Sequence, residues 1–414
     1  MKSVYVETYG CSANQARSET MEGSLAANGM KITKNMARAD VILLNTCIVK
    51  TPTENRIRDR IKSVVRKYPR KTLIIAGCAA DVALFRDIAP GALFLSSHNP
   101  KDVAKLLLKK AGEITDKKRK NPLVGITEIS SGCLGSCAYC MVKLARGRLK
   151  SRSVEEITAE IRNSLENGCI EIWLTSQDNS CYGLDIGSDL AKLVKKVSEI
   201  DGEFRVRIGM MNPSHLASLM KQLIEAYKNN KVYRFIHIPV QSGSDRILKL
   251  MGRRYSVKAF ERIAGEFRNS LPGITLSTDV IVGFPGESES DFDGTLALIE
   301  RIRPDIVNVS KFGARPGTDA ARMRQLDNKI IKERSKKIAA LVRKIGMEIN
   351  AEFAGRKYTI IVTERGKHRN QYMGRNEFYK PVIIESTKNV LGKFLKVKIT
   401  KCGQTFLAAK IIRS

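Results

Sequence analysis

The sequence has no apolar run that approaches the roughly 20 residues of a membrane-spanning helix, and nothing near Met1 resembles a secretory signal. We therefore expect a cytoplasmic protein without a membrane partner. The nine cysteines are an odd number, and disulfides are rare in a reducing compartment, so a disulfide framework explains them poorly. Clustered thiols in a cytoplasmic protein more often serve metal or redox chemistry.

Acidic residues are also scarce, because 42 Asp and Glu stand against 72 Lys and Arg, for a formal net charge of +30. This excess is larger than solubility requires, and it favours a polyanionic partner. A basic surface that faces only solvent is the alternative. With 414 residues, 43% of them hydrophobic, the chain is long enough for two or three globular domains.

The stretch GCLGSCAYC places Cys133, Cys137 and Cys140 within eight residues, with the spacing C-x3-C-x2-C. None of the four histidines lies close to this triplet in sequence, so a zinc knuckle would lack a fourth ligand nearby. Three thiolates on a short loop suit a [4Fe–4S] cluster, in which each thiolate holds one iron and the fourth iron stays open. An open iron is a place where a substrate could bind.

The first third of the chain alternates strand-like and helical patterns, which predicts an α/β domain with an open parallel sheet. Three of its predicted strands end in a cysteine, namely Cys11, Cys47 and Cys78. Because ligands of open α/β sheets bind beyond the carboxyl ends of the strands, we interpret these thiols as a second metal site. The alternative is that each is a small buried hydrophobic residue.

The remaining patterns divide the chain further. We predict an N-terminal domain of residues 1–112, a polar linker at 113–122, and a partial (βα)6 barrel with a closing helix at 123–353. The cysteine triplet follows the first barrel strand, at the C-terminal rim where barrel enzymes carry their chemistry. Residues 354–414 show short alternating strands without helices, which predicts a small OB-like β-barrel.

The C-terminal region is basic and carries scattered aromatic residues. From residue 348 to residue 414 there are 14 Lys and Arg but only 5 Asp and Glu. Basic and aromatic residues on a small barrel suit nucleic acid, although the same aromatics could form the barrel core. The aromatic residues in question are Tyr358, Tyr372, Phe378, Tyr379, Phe394 and Phe406.

Taken in order, these motifs resemble the methylthiotransferases of the radical S-adenosylmethionine (SAM) family over nearly the whole chain. The triplet matches that superfamily's C-x3-C-x2-C, with Tyr139 just before its last cysteine. ETYGCSANQ, NTC and AGC match the N-terminal methylthiotransferase domain, and the C-terminal barrel is similar to the TRAM domain. Further matches are LTSQD at 174–178, HIPVQSGSDRILKLMGRRY at 237–255, TDVIVGFPGE at 278–287 and RPGT at 315–318.

The resemblance implies two [4Fe–4S] clusters, one on each set of three cysteines, and SAM as both methyl donor and radical source. The barrel cluster would cleave SAM to a 5′-deoxyadenosyl radical, and the second cluster would carry the inserted sulfur. An electron donor and a sulfur source would be needed. We expect Tyr139 to lie against the adenine of SAM, with Gln177, Gln241 and Asp279 as polar anchors. The alternative is that these three are hydrogen-bonded structural residues.

The resemblance also bears on the substrate. Family members modify either the adenosine beside a tRNA anticodon or an aspartate of a ribosomal protein, and the basic C-terminal region favours RNA. ETYGCSANQ and LTSQDNSCYG are more like the branch that acts on N6-threonylcarbamoyladenosine than the branch that acts on isopentenylated adenosine. A non-catalytic iron–sulfur RNA-binding protein is the other hypothesis, but it would need clusters without an open iron.

Overall fold

The computed structural model of the chain describes residues 2–48, 51–81, 84–95, 99–108 and 117–412. In these ranges the main sheets are a five-stranded parallel sheet, two three-stranded parallel sheets and a closed five-stranded barrel. This architecture confirms the predicted α/β fold class. Among the described residues, no helix combines the length and the apolar character needed to cross a membrane.

The N-terminal sheet has the strand order β2-β1-β3-β4-β5, with all strands parallel. Its central strand β3 reads VILLNT and is buried throughout, as a strand covered on both faces must be. The elements are β1 Ser3–Thr8, α1 Ser12–Ala27, β2 Lys31–Ile32, β3 Val41–Thr46, α2 Thr51–Lys67, β4 Thr72–Gly77, α3 Cys78–Asp81, β5 Leu93–Leu95 and α4 Asp102–Leu108.

The sequence patterns predicted three of these five strands. The two missed strands, β2 and β5, are two and three residues long and form the two edges of the sheet, so they carry almost no periodicity. The last helix was expected to end near Gly112, and that residue lies outside the described part of the chain, as do residues 113–116 of the predicted linker.

The central unit contains the six predicted barrel strands in the order β6-β9-β10 and β11-β12-β13. The two ladders meet at a parallel bridge between Val206 and Val232, which makes one curved and incomplete barrel. Helices α6 and α12 each begin at a capping box, Ser153 with Glu156 and Ser288 with Asp291.

The elements of the first ladder and of the segments around it are β6 Val124–Glu128, β7 Ser130–Ser131, α5 Val142–Arg146, β8 Lys150–Ser151, α6 Val154–Glu166, β9 Glu171–Thr175, α7 Leu190–Ser198, β10 Arg205–Ile208, α8 Pro213–Leu216 and α9 Met220–Tyr227. Those of the second ladder are β11 Phe235–His237, α10 Asp245–Leu250, α11 Val257–Ser270, β12 Thr275–Val282, α12 Glu289–Ile302, β13 Ile306–Lys311, α13 Asp319–Arg322 and the long helix α14 Asn328–Ala351.

The C-terminal barrel closes in the order β14-β15-β16-β18-β17. It packs beneath the partial barrel, against the residues that precede strands β11 to β13. Lys380 Nζ lies 2.7 Å from Asp305 Oδ1, and the ring of Phe378 lies against Gly273. The RNA-binding candidate is thus at the opposite end of the barrel from the cysteine loop. Its strands are β14 Lys357–Arg365, β15 Gln371–Arg375, β16 Pro381–Glu385, β17 Phe394–Cys402 and β18 Leu407–Ile411.

The aromatic residues of this barrel mostly pack inside it or at its junction with the central unit. Tyr372 and Phe378 are buried in its core, and Tyr358 packs against that core. Tyr379 contacts Tyr233 of the central unit, at 4.9 Å between ring centroids. Phe406 is more exposed, at 37%. The core interpretation therefore holds for most of these rings, and the basic residues are the better candidates for contact with RNA.

Candidate functional site

The cysteine loop leaves the first barrel strand at the C-terminal rim and is closed by a short antiparallel hairpin. Strands β7 and β8 pair on either side of it, Ser130 with Ser151 and Ser131 with Lys150. Gly132 has φ 81°, and a side chain there would collide with the carbonyl oxygen of Arg148. Only glycine fits this crossing, which holds the start of the loop against its end.

The three thiols of the loop line one cavity of about 210 Å³. The amide of Gly135 donates to Cys133 Sγ at 3.2 Å, and the amide of Val142 donates to Cys140 Sγ at 3.4 Å. Burial raises the pKa of the Cys133 thiol, and burial together with the nearby Cys137 raises the pKa of Cys140 to about 12. Without a bound cation the thiol forms are therefore favoured, and a metal would have to stabilise the thiolates.

This donor set fits an iron–sulfur cluster better than a single ion. In the described part of the chain, no three His, Cys, Asp or Glu side chains are grouped so that they could hold one metal ion. The thiolates of a four-iron cluster each bind a different iron, so they stand farther apart than the ligands of one ion. The cavity and the amide hydrogen bonds to sulfur suit such a cluster.

A partly buried arginine supports the back of the loop. Arg253 Nη2 donates to the Tyr139 hydroxyl at 2.6 Å, and its Nε donates to the same oxygen at 3.1 Å. The Ala138 amide donates to the carbonyl of Met251 at 3.0 Å, which holds the GRRY stretch against the loop. The Arg253 guanidinium thus places a positive charge beside the thiols, and it was not among the predicted site residues.

The second cysteine set lies at the carboxyl edge of the N-terminal sheet. Cys11 precedes α1, Cys47 follows β3 and Cys78 begins α3 directly after β4. A Cβ at Gly10 would lie only 2.7 Å from Cys47 Sγ, so the loop that carries Cys11 passes directly over Cys47. All nine cysteines lie in the described ranges, and none of them is in a disulfide.

Asn14 joins the strand ends that carry these cysteines. It is 2% exposed, although it lies in the first turn of α1. Its Nδ2 donates to the carbonyls of Tyr9 at 2.8 Å and Thr46 at 2.7 Å. Tyr9 lies two residues before Cys11, and Thr46 lies directly before Cys47. The Thr46 hydroxyl continues the connection to the carbonyl of Ala76, at 2.6 Å. Hydrogen bonds therefore link all three strand ends.

Three family models match the chain: uncharacterized protein family UPF0004 at residues 3–88, the radical SAM superfamily at 127–299 and the TRAM domain at 352–412. A probable threonylcarbamoyladenosine tRNA methylthiotransferase of Pyrococcus horikoshii is 39% identical over the full length of both chains. The chain belongs to this methylthiotransferase family. The threonylcarbamoyladenosine tRNA methylthiotransferase of Xenopus laevis is 34% identical, covering all of this chain and 77% of that one.

Solved structures with the same fold are more distant in sequence. The radical SAM methyltransferase TsrM from Kitasatospora setae superimposes with a TM-score of 0.56 at 12% identity, covering 87% of this chain and 81% of that one. The cobalamin-dependent SAM radical enzyme OxsB gives a TM-score of 0.52 at 13% identity, covering 83% of this chain and 56% of that one. These likenesses show the shared fold.

The four residues expected to hold SAM lie in or near the loop, or on or just after neighbouring barrel strands. Gln177 Oε1 accepts from the Gly132 amide at 2.8 Å, next to Cys133. Gln241 has φ 69° and is 7% exposed, and its backbone amide donates to the backbone carbonyl of Asp279 at 2.8 Å. The ring of Tyr139 packs edge-on against Phe284. None of the four lines the cavity of the three thiols.

The Asp279 carboxylate has two neighbours that the sequence patterns did not single out. His237 Nε2 lies 3.0 Å from Asp279 Oδ1, and Asn308 Nδ2 donates to the same oxygen at 2.7 Å. These residues come from β11, β12 and β13, so their proximity arises from strand register. In the sequence, the motif HIPVQ, which contains His237, was the one indication of this group of side chains.

The other three cysteines lie outside the two sets of three, although Cys181 is close to Cys133 and to the backbone of Leu134. Cys169 is buried and donates to the carbonyl of Pro122 at 3.3 Å, and Cys181 is buried and donates to the carbonyl of Asp178 at 3.1 Å. Cys402 is partly exposed on β17 of the C-terminal barrel.

Proposed function

We propose that this chain methylthiolates C2 of N6-threonylcarbamoyladenosine at position 37 of tRNA, next to the anticodon, as a radical SAM enzyme with two [4Fe–4S] clusters. The observation that carries the proposal is the presence of three cysteines on a barrel rim and three more on the carboxyl edge of a second parallel sheet, in a chain that matches its relatives from end to end. An electron donor, a sulfur source and a cytoplasmic location are parts of the same proposal.

In this proposal Cys133, Cys137 and Cys140 hold one cluster, and Cys11, Cys47 and Cys78 hold the other. When bound, the clusters supply the electron that cleaves SAM and the site that carries the sulfur. The chain itself contributes position and charge. The hairpin fixes the rim loop, amides donate to its sulfurs, and the Arg253 guanidinium offsets part of the negative charge of three thiolates.

The same proposal places SAM beside the rim loop. Gln177, which already holds Gly132, would fix the methionyl part near Cys133. Gln241, which follows β11, and Asp279, on the neighbouring strand β12, would bind the ribose or the adenine, with His237 and Asn308 orienting the carboxylate. Tyr139 is kept in place by Arg253 and Phe284, and would lie against the adenine. Such fixed polar groups reduce the entropy cost of a productive geometry.

The domain assignment remains as predicted: residues 1–112, a linker at 113–122, 123–353 and 354–414. It is supported by separate apolar cores in the central unit and in the C-terminal barrel. The N-terminal sheet has apolar clusters on its two faces, and one of them also includes Met141 and Ala145 of the central unit.

The basic face of the C-terminal barrel is the candidate tRNA surface. Lys396 and Lys398 alternate with buried residues on β17, and both are exposed as the alternation predicts. Four further lysines of this barrel are exposed on strands or loops: Lys388, Lys393, Lys401 and Lys410. This surface favours RNA over a basic ribosomal protein as the substrate. Methylthiolation of another adenosine derivative or of a ribosomal-protein aspartate is the alternative.

Charge reversal on this face tests the RNA assignment. Lys396→Glu and Lys398→Glu should each raise the KM for tRNA about three- to tenfold and lower the salt dependence of binding, because phosphate contacts are lost. SAM cleavage without tRNA should not change. Lys195→Glu, at an exposed position of α7, is the matched control. Unchanged tRNA binding in both barrel variants would contradict the assignment and favour the protein substrate.

A further inference from the structure

One hydrogen-bonded path runs from the cysteine strand ends of the N-terminal sheet to the cysteine loop of the barrel. Asn14 Nδ2 is occupied within the sheet by Tyr9 and Thr46, which leaves Oδ1 as the free end of the side chain. Arg146 Nη2 donates to this Oδ1 at 3.2 Å. Both side chains belong to residues that are almost fully buried, Asn14 at 2% and Arg146 at 4% exposed.

Arg146 belongs to the barrel side of this contact. It is the last residue of α5, whose first residue, Val142, donates its amide to Cys140 Sγ. One five-residue helix therefore carries the cluster loop at one end and the contact with Asn14 at the other. Met141 and Ala145 pack in the same apolar cluster as Cys47, so apolar contact accompanies the hydrogen bond.

A second pair connects the same two regions. Arg315 forms an ion pair with Glu54, and the two side chains are 6% and 14% exposed. Glu54 lies in the first turn of α2, the helix that follows Cys47. Arg315 lies in the RPGT stretch, and the Ala320 amide just beyond it donates to the carbonyl of Ala138 in the cysteine loop, at 2.9 Å. Each end of the ion pair is thus close to one of the two cysteine sites.

We infer that Arg146 with Asn14, and Arg315 with Glu54, are positioning pairs that fix the two cysteine sites relative to each other. The inference rests on the proposed function, in which a product of SAM cleavage at one site must act together with sulfur held at the other. A displacement of about 1 Å between reacting groups costs on the order of a hundredfold in rate. These two pairs, together with other contacts across the boundary such as the ion pair of Arg17 with Glu128, limit that displacement.

The test compares Arg146→Met with Arg146→Lys, which keeps the charge and a donor. Arg162→Met, at an exposed position of α6, makes the same change away from the boundary. We expect Arg146→Met to keep its iron and its SAM cleavage, but to form about tenfold less methylthio product per 5′-deoxyadenosine. The magnetic interaction between the two reduced clusters, measured by electron paramagnetic resonance, should change in parallel. Arg146→Lys should restore both readouts in part.

Glu54→Gln provides the second variant should Arg146→Met lose iron, and the same two readouts apply to it. A product ratio and a magnetic interaction equal to those of the unaltered chain, in a variant that keeps its iron, would overturn the inference. If the unaltered chain formed no methylthio product at all, the proposed function would fail. The magnetic interaction would still decide the inference in that case, because it reports the relation of the sites without turnover.

Discussion

The two cysteine sites present three thiols each, but they are built differently. On the barrel rim, Cys133, Cys137 and Cys140 share one loop, which a hairpin closes and backbone amides support. In the N-terminal sheet, each cysteine follows a different strand, and the pairing of these strands brings the three to one edge. The first site depends on local sequence, whereas the second depends on the topology of a whole sheet.

This difference indicates that the two sites can be disabled separately. The rim loop has hydrogen bonds of its own, from the Gly135 and Val142 amides to its sulfurs. The sheet edge is held by Asn14, Asn45 and Thr46, which connect the strand ends to α1 and to one another. Substitutions at one site should therefore leave the structure of the other site intact.

The largest effect is expected from replacing Cys133, Cys137 and Cys140 by alanine. Reconstituted protein should fall from about eight irons to about four per chain, and SAM cleavage should be abolished, because the open iron is lost. Cys169→Ala, a buried barrel cysteine outside the loop, is the control. Retained SAM cleavage in the triple variant would show that the rim loop does not hold the cleaving cluster.

Replacing Cys11, Cys47 and Cys78 by alanine removes the thiols of the N-terminal site and leaves the rim cysteines in place. Iron should again fall to about four per chain, but cleavage of SAM to 5′-deoxyadenosine should continue, since the rim loop is unchanged. Methylthio product should disappear. Both products are measured by mass spectrometry, with Cys402→Ala as the control. Normal methylthiolation in this variant would mean that these three cysteines only pack.

Arg253→Gln tests the local support of the rim loop. Loss of a partly buried positive charge beside three thiolates should make the rim cluster harder to reduce and slow SAM cleavage by about tenfold, since net charge and hydrogen bonds set cluster potentials. Tyr139→Phe removes only the hydroxyl acceptor and should have a smaller effect. A redox titration followed by electron paramagnetic resonance measures the potential of each cluster. An unchanged rim potential in Arg253→Gln would refute this role.

The smallest effect is expected from Thr46→Val, which removes the hydrogen bond to the carbonyl of Ala76 between two cysteine-bearing strands. One such bond contributes about 1 kcal/mol, so the N-terminal cluster should be lost several times faster to a chelator. Iron bound at the rim should be lost at its original rate. Equal acceleration at both sites would contradict the separate construction of the two sites.

Features that depend on a short stretch of sequence could be predicted, whereas features that depend on contacts between distant residues could not. The spacing of the rim cysteines and the six barrel strands could be predicted because their signals are local in sequence. The burial of Asn14 could not, since its partners Tyr9, Thr46 and Arg146 lie up to 132 residues away in sequence. Likewise, the docking of the C-terminal barrel under the central unit depends on Lys380 meeting Asp305, which no periodicity indicates.

That docking also changes how the RNA surface should be tested. Removal of residues 354–414 would take Lys380 away from Asp305 and would expose Tyr233 and Phe235, which pack against Tyr379 of the barrel. Exposing apolar surface costs about 25 cal/mol per Å², so a truncated chain would lose stability as well as RNA contacts. The reversals at Lys396 and Lys398 avoid this effect because both side chains are exposed.

The proposed methylthiolation of tRNA is tested most directly by mass spectrometry of tRNA nucleosides from cells that contain the full chain and from cells that lack it. We expect 2-methylthio-N6-threonylcarbamoyladenosine only in cells that contain the chain, with the unmethylthiolated nucleoside accumulating in cells that lack it. Cells rescued with either triple cysteine variant should resemble cells without the chain. The proposed reaction would be contradicted if both kinds of cell contained the same amount of methylthiolated nucleoside. It would also be contradicted if the loss of methylthiolation were confined to isopentenylated adenosine.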